Sequence, residues 1–559
     1  MYGRNYKIID KDLKYVKSID ELVDSIAKRR SLYLDYEYRG NLKDLDKAVE
    51  RIKLAKERNE KVKVIGDYDV DGEVSTYILT KGLRDFGLNV DYRIPERLTD
   101  GYGVNVRMLR EEFREGVNLC ITCDNGVASD AFEKVEQLDM DFIVTDHHKT
   151  IKDKDGQDVL PKGVIAVINP KRQDCTYGTK DICGAVVALE LIEELMGREY
   201  VENSDFIELA CLATICDVVP LKGYSREIVS EGLSRMRETT NLGLASLIKR
   251  KIEGDKEITT YSCGFLIGPC LNASGRLETA TLSVKLLLSE TEKEADLYAE
   301  KLTGLNKDRQ LLTEQGLEEA LELYEEDRKV QFIKLPRKYE PVCGIIAGRV
   351  KEKFNKPTLV CSYNESKKMY KGSGRSTDYY NMFEEISKSK MFLETFGGHE
   401  KAIGFGVSEQ EIDNFKANIE YLQKDVNFDT RKVVSIEAVL NTAYINEMLV
   451  RKVESLAPFG KDNERPLFMS TCNLTKLKRV GSSNNVLQLT FKSQGKYFNG
   501  VSFKNVDEFD NYIRLKCGSD VLNALYEDGH EVPVRVVYTL ELNEYKGRNY
   551  VKLRVESII

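Results

Sequence analysis

No stretch of this sequence approaches the ~18 consecutive apolar residues of a membrane-crossing helix. The opening Met-Tyr-Gly-Arg-Asn-Tyr leads into mixed charge rather than the apolar stretch of a secretory signal. A cytoplasmic protein with no membrane partner is therefore expected. Internal repeats and low-complexity tracts are missing too, which excludes solenoids and disordered linkers as the main architecture. Histidine is scarce, with four in 559 residues, so any two that stand together are conspicuous. A basic excess is also absent: 84 lysines and arginines face 92 acidic residues, for a net charge of −8. That average does not exclude a nucleic-acid partner, because a polyanion footprint is local. The twelve cysteines are scattered. Cys120 and Cys123 form a CxxC with no second pair nearby, inside a segment that reads as a buried strand. They are expected to be reduced core residues rather than a zinc or redox site.

What is present is an ordinary globular composition, 42% hydrophobic and 31% charged. The length suggests three or four domains at roughly 100–200 residues each. Residues 1–60 are polar and helix-leaning. From 62 onward, short β-rich runs at 62–66, 117–123, 141–145 and 163–169 alternate with helical periodicity, which predicts a parallel sheet with crossover helices. A charged helical stretch at 281–327 suits a connector, and a second α/β region follows. The final part, from about 432, alternates apolar and polar residues as in Val486-Leu487-Gln488-Leu489-Thr490-Phe491, which predicts a small antiparallel barrel.

Four features in the first α/β region carry the chemistry. They are Asp67-Tyr68-Asp69-Val70-Asp71-Gly72, Asp124-Asn125-Gly126, Asp146-His147-His148 and Asp217, each placed where an apolar run, read as a strand, ends. Strand C-termini of a parallel sheet share one edge, where ligands bind. Asp69, Asp71, Asp124, Asp146, His147, His148 and Asp217 are therefore expected to converge. Carboxylates mixed with imidazole suit Mn²⁺ or Mg²⁺ better than thiolate-bound zinc. Two such ions about 4 Å apart can activate water and clamp both oxygens of a phosphoryl displacement. Asp67-x-Asp69-x-Asp71-Gly72 imitates an EF-hand loop, but Ile78 occupies the position of the bidentate glutamate and a strand precedes the loop.

Two stretches could meet a polyanion. From 328 to 375 there are 13 lysines and arginines against three glutamates, and from 471 to 505 six basic residues, no acidic one and interleaved aromatics. Gly-rich runs beside a charged side chain, at 268–276, 371–376 and 396–399, would let the backbone approach a phosphate.

Asp-Tyr-Asp-Val-Asp-Gly, Asp-Asn-Gly and Asp-His-His resemble the signature motifs of the DHH phosphoesterase superfamily. The Leu-Asn-Ala-Ser-Gly-Arg run ending at Arg276, Gly-Ser-Gly-Arg-Ser at 372–376, Gly-Gly-His399 and Pro458-Phe459-Gly460 extend the resemblance to the RecJ single-strand-specific exonucleases, over about residues 60–559. The resemblance implies an α/β fold class. Beyond the helix-leaning stretch, read as an N-terminal helical extension (1–60), its parts would be a parallel-sheet DHH domain (61–280), a long connector helix (281–327), a DHH-associated α/β domain (328–430) and an OB-type β-barrel (431–559). It also implies a two-metal hydrolase that degrades single-stranded DNA 5′→3′ to mononucleotides in repair and recombination. By position, Asp69, Asp71, Asp124, His147 and Asp217 would bind the metals, with Asp67 and Asp146 behind them and His148 close to metal or phosphate. Which of Asp67, Asp69 and Asp71 bind directly stays open.

Asp124, His147, His148 and His399 would be catalytic. His399, Arg97, Arg276, Ser373 and Arg375 would bind phosphates. Lys476, Lys478, Arg479, Lys492, Lys496 and Tyr497 would contact the strand in the barrel. Partners implied by the family are a single-strand-binding protein and a recombination helicase, with the chain itself a monomer. Cys270 stands where the family pattern has arginine, and Val342-Cys343 replaces a His-Pro neighbourhood. Other readings compatible with the motifs are a hydrolase of short oligoribonucleotides or cyclic dinucleotides, an inactive replication scaffold, and a plain single-strand-binding protein.

Overall fold

The computed structural model describes residues 4–9, 18–32, 40–96, 100–101, 103–365, 367–424, 428, 431–481, 484–503, 506–527, 529–545 and 547–559. It divides into two compact units, Asp35–Phe428 and a discontinuous one made of Met1–Leu34 with Asp429–Ile559.

The larger unit begins with a five-stranded sheet in the order Asn89–Arg93, Lys61–Ile65, Leu119–Cys123, Asp141–Thr145 and Ala166–Ile168, every pair parallel. The inner strands Leu119–Cys123 and Asp141–Thr145 are mainly β-branched and apolar because both faces are covered, whereas the edge strand Asn89–Arg93 carries polar residues and is partly exposed. Val62, Val64, Leu119 and Ile121 pack on one face with helices Val70–Asp85 and Gly184–Met196. Ile65, Cys120 and Phe142 pack on the other with helix Val106–Arg114. Helix Leu45–Glu57 adds Ala48, Val49, Ile52 and Ala55 to the first core. All twelve cysteines are free, and Cys120 and Cys123 are buried within the central strand.

The connector is two helices rather than one. Thr281–Leu287 ends before Thr291, whose side chain caps the 31-residue helix Glu292–Glu322 by accepting from the Glu294 amide at 3.3 Å. Residues 268–276, read as a phosphate-approaching loop, are helical: Gly268–Leu277 follows a π-turn at Ser262–Ile267. Pro269 fits because it sits in the first turn, where no amide donor is needed. A second sheet follows in the order Thr395–His399, Ala402–Ser408, Met369–Arg375, Thr358–Asn364 and Gln331–Leu335, with only the last pair parallel.

In the smaller unit, Phe468–Val480 pairs with both Val486–Ser493 and Val532–Tyr545, and Lys496–Ser502 pairs in parallel with Arg548–Ile558. These pairings close a five-stranded barrel, which leaves no open edge among its strands. Helices Val506–Cys517 and Ser519–Tyr526 lie between the third and fourth strands of the barrel in chain order. The N-terminal stretch is built into this unit. Strand Arg4–Ile8 pairs in parallel with Lys432–Ile436, and helix Ile19–Arg29 buries Ile19, Leu22, Val23, Ile26 and Ala27 in the barrel core. Arg29 and Arg30 both bind Glu437. The polar stretch 1–60 thus divides between the two units.

Candidate metal centre and substrate-binding surfaces

Three of the four acidic motifs leave the C-terminal ends of adjacent parallel strands, as the alternation predicts. Asp69 caps helix Val70–Asp85, accepting from the amides of Asp71 and Gly72 at 3.1 and 3.2 Å. Asp124 follows strand Leu119–Cys123 in a left-handed conformation (φ 60°). Asn125 ties the two strand ends together, since its amide nitrogen donates to the carbonyls of Ile65, Gly66 and Cys123. Asp146 follows strand Asp141–Thr145. The fourth motif differs from expectation. Asp217 ends a helix, Phe206–Cys216, whose largely apolar sequence, with Glu208 and Thr214 also buried, reflects burial around most of its circumference and not a strand.

These residues converge. His147 Nε2 lies 3.1 Å from Asp124 Oδ1, 3.4 Å from Asp71 Oδ2 and 3.8 Å from Asp217 Oδ2. Asp71 also accepts from the amides of Gly184 and Ala185 at 2.6 and 2.7 Å, so the N-terminus of helix Gly184–Met196 holds both its oxygens. Gly184 is required there, because a Cβ would sit 2.8 Å from Asp124 Cβ. Asp146 accepts from the amides of Val127, His147 and His148 and from His148 Nδ1 at 2.8 Å.

The electrostatics follow from this crowding. Burial, then the charges of Asp71, Asp69 and Asp67, push the Asp124 carboxyl well above its usual range. Burial, then Asp71 and Asp69, does the same to Asp217. Burial lowers His147 to about 4, so its ring is a neutral donor of a lone pair. His148 moves the other way: burial lowers it, but Asp146 outweighs this and raises it to about 9. Burial opposes ionisation of Asp146 too, yet the His148 contact brings it to about 2.

A cluster of buried carboxylates that repel one another and a neutral imidazole is suited to divalent cations. Two separate triads, Asp67/Asp69/Asp124 and Asp71/His147/Asp217, each place three donor atoms within 4.8 Å of one another, and Asp124/His147/His148 forms a third that overlaps both. Oxygen and imidazole donors without thiolate fit Mn²⁺ or Mg²⁺. Asp67, expected behind the ligands, offers an oxygen alongside Asp69 and Asp124.

His399 ends the edge strand Thr395–His399 of the second sheet. Burial and the positive charges of His148, Lys149 and Lys171 hold its imidazole below the usual value. Arg276 lines a cavity of about 230 Å³ with Lys371, Ser373 and Thr395. Arg375 and Ser373, on one face of strand Met369–Arg375, close on Gly344 at the start of helix Cys343–Phe354. Arg97 lies outside the described residues. Cys270 is fully buried and receives Asn306 Nδ2 at 3.6 Å, so it serves packing.

In the barrel, Lys476 and Lys478 line a groove of about 440 Å³ with Thr490, Asn499, Tyr550 and Lys552. Arg479 is instead held by Asp507 and Asp510, and Lys492 by Glu531 at 2.5 Å. Tyr497, beside Lys496, is 65% exposed. Tyr550 and Lys552 escaped sequence reasoning because they come from the last strand, separated from the basic run by two helices and a strand; only barrel closure brings them alongside.

Fold and cluster together define a protein of the DHH class. The DHH family N-terminal domain matches residues 61–214, the DHHA1 domain 330–425 and the RecJ OB domain 436–557. The single-stranded-DNA-specific exonuclease RecJ of Bacillus subtilis (strain 168) is 32% identical over 469 residues, 83% of this chain, and the chain spans 58% of that relative's length. A crystal structure of the exonuclease RecJ bound to manganese matches 71% of this chain and 98% of its own at 30% identity and a TM-score of 0.62. The Mn²⁺ complex of RecJ from Thermus thermophilus matches all of this chain and 80% of its own at 24% identity and a TM-score of 0.82. The chain belongs to the RecJ family.

Proposed function

We propose that this protein is a single-stranded-DNA-specific exonuclease that releases mononucleotides from the 5′ end, using two Mn²⁺ or Mg²⁺ ions, in DNA repair and recombination. The observation that carries the reading is the pair of separate donor triads, Asp67/Asp69/Asp124 and Asp71/His147/Asp217. Divalent cations held there supply acidified water and positive charge for the phosphate oxygens. The chain's own residues do the rest. The amides of Gly184 and Ala185 hold Asp71 in one orientation. His147 is kept neutral by burial and presents Nε2 among the carboxylates. His148, kept protonated by Asp146 at neutral pH, offers its Nε2 proton to an oxygen of the scissile phosphate. His399 closes over the same phosphate from the second sheet, and Arg276, Ser373 and Arg375 hold phosphates of the strand. In the barrel, Lys476, Lys478, Lys496 and Tyr497 would bind single-stranded DNA. The relatives named for action on single-stranded DNA support the choice of substrate.

The test is a ~40-nucleotide strand, long enough to occupy an OB site, labelled at its 3′ end and carrying or lacking a 5′-phosphate. Products are resolved by length in Mn²⁺, Mg²⁺ or EDTA. A metal-dependent ladder shortening from the 5′ end, with duplex spared, is the expected result. Inert long DNA with rapid dinucleotide cleavage would overturn it in favour of a short-oligonucleotide hydrolase. Binding without cleavage in any metal would mean a scaffold.

A further inference from the structure

Glu73 plays no part in the chemistry above, yet it is fully buried in the first turn of the helix that follows Asp69, its amide bonded to the Asp69 carbonyl at 2.8 Å. Its Oε1 lies 3.5 Å from Ser274 Oγ, and Oε2 has no hydrogen-bond partner among the described residues. Ser274 Oγ is 2.9 Å from Ser283 Oγ, and the two hydroxyls converge on the Leu271 carbonyl at 2.9 and 3.1 Å. Burying a carboxyl is costly unless it is hydrogen-bonded. What it touches gives a reason for its presence.

Ser274 and Gly275 are the last residues before Arg276 in helix Gly268–Leu277. A Cβ on Gly275 would lie 2.4 Å from the Tyr68 carbonyl, so this helix end is pressed directly against the loop between Asp67 and Asp69. The contact is made twice, by backbone at Gly275 and by the polar link from Glu73 to Ser274. Arg276 leaves this junction toward the cavity it shares with Lys371 and Ser373.

We propose that Glu73 is a positioning residue that, through Ser274, sets where Arg276 presents its guanidinium relative to the Asp67–Asp71 loop. The distance between the phosphate held by Arg276 and the reacting phosphate is thereby fixed by a buried link and not by surface contacts. The inference rests on the exonuclease reading for its substrate. A shift of about 1 Å in such a spacing is enough to cost on the order of 100-fold in rate.

The test is a double-substitution cycle in the full-length protein, read as kcat and KM on a 5′-phosphorylated oligonucleotide and as affinity for the same strand in EDTA. R276A alone defines the signature of losing the arginine. E73A and, independently, S274A should reproduce its split between KM and kcat, with kcat/KM lower by roughly 10–100-fold. In the R276A background either should cost less than about twofold more, since residues acting as one unit are not additive. E73Q, which keeps an acceptor oxygen, should restore most of the loss. S274A leaves Glu73 in place and guards against a variant that fails to fold. Full additivity of E73A or S274A with R276A, or an unchanged kcat/KM in S274A, would overturn the proposal. If the wild type does not cleave the strand, the exonuclease reading fails, and the affinity arm of the cycle still decides the role of Glu73.

Discussion

His147 Nε2 lies 3.1 Å from Asp124 Oδ1, although the two residues leave neighbouring strands 23 positions apart in sequence. Asp124 donates an oxygen to two of the three potential donor sets, and His147 also donates to two. Asp124→Ala should therefore remove the Asp67/Asp69/Asp124 site and the overlapping Asp124/His147/His148 set, leaving only Asp71/His147/Asp217, with exonuclease turnover down by ~10³-fold. Calorimetric titration with Mn²⁺ on the variant should show loss of binding at the removed site. Full turnover would remove the metal assignment.

The groove of the barrel gives a test that separates structure from composition. Tyr550→Ala should weaken single-strand binding by ~1–3 kcal/mol if a base stacks on it. Lys552→Ala should reduce the slope of log affinity against log salt by about 0.7, the value for one phosphate contact in a single strand. Arg479→Ala should leave both quantities nearly unchanged, because Asp507 and Asp510 already neutralise that guanidinium. Fluorescence anisotropy across a salt series measures all three.

Asp44 provides a pH-dependent contribution outside the cluster. It starts helix Leu45–Glu57 and binds Arg172 at 2.5 Å and Lys47 at 2.7 Å. Burial pushes its carboxyl up, but the hydrogen bonds from Lys47 and Arg172 outweigh this and leave it below the usual value. A carboxyl lowered on folding stabilises fully above its unfolded value near ~3.9 and loses that contribution as pH falls through the folded value. Asp44→Asn, which tolerates the left-handed φ of 63°, should destabilise at pH 7 by ~1–3 kcal/mol. It should also unfold with a shallower acid limb below about pH 4. Thermal melts at a series of pH values would show equal slopes if the pair contributes nothing.

Leu22 of the N-terminal helix is 1% exposed in the core of the barrel unit. Leu22→Ala should destabilise that unit by ~2–5 kcal/mol. Removal of residues 1–32 should do more, since it also uncovers Glu437, which Arg29 and Arg30 neutralise. Differential scanning calorimetry would detect a lowered transition for the barrel unit.

The local alternation of apolar residues, with acidic or imidazole groups at the strand ends, determined the parallel sheet and three of its four chemical corners. A strand buried on both faces must be uniformly apolar, and a parallel sheet must gather its C-terminal ends on one edge. Those rules act within a few residues and are written in sequence. Asp217 shows the limit: a fully buried helix and a fully buried strand carry the same apolar run, so its helix was indistinguishable from a strand until packing was known. The helical form of 268–276 was hidden in the same way, since small residues that suit a loop also suit a helix pressed against another backbone. Only the tertiary structure decided that Arg479 and Lys492 are neutralised while Lys552 lines the groove, because ion pairs and barrel closure join residues tens of positions apart. It alone also placed the first thirty residues with the last hundred and thirty, as burial of Ile19, Leu22 and Ile26 requires a surface that no neighbouring segment supplies.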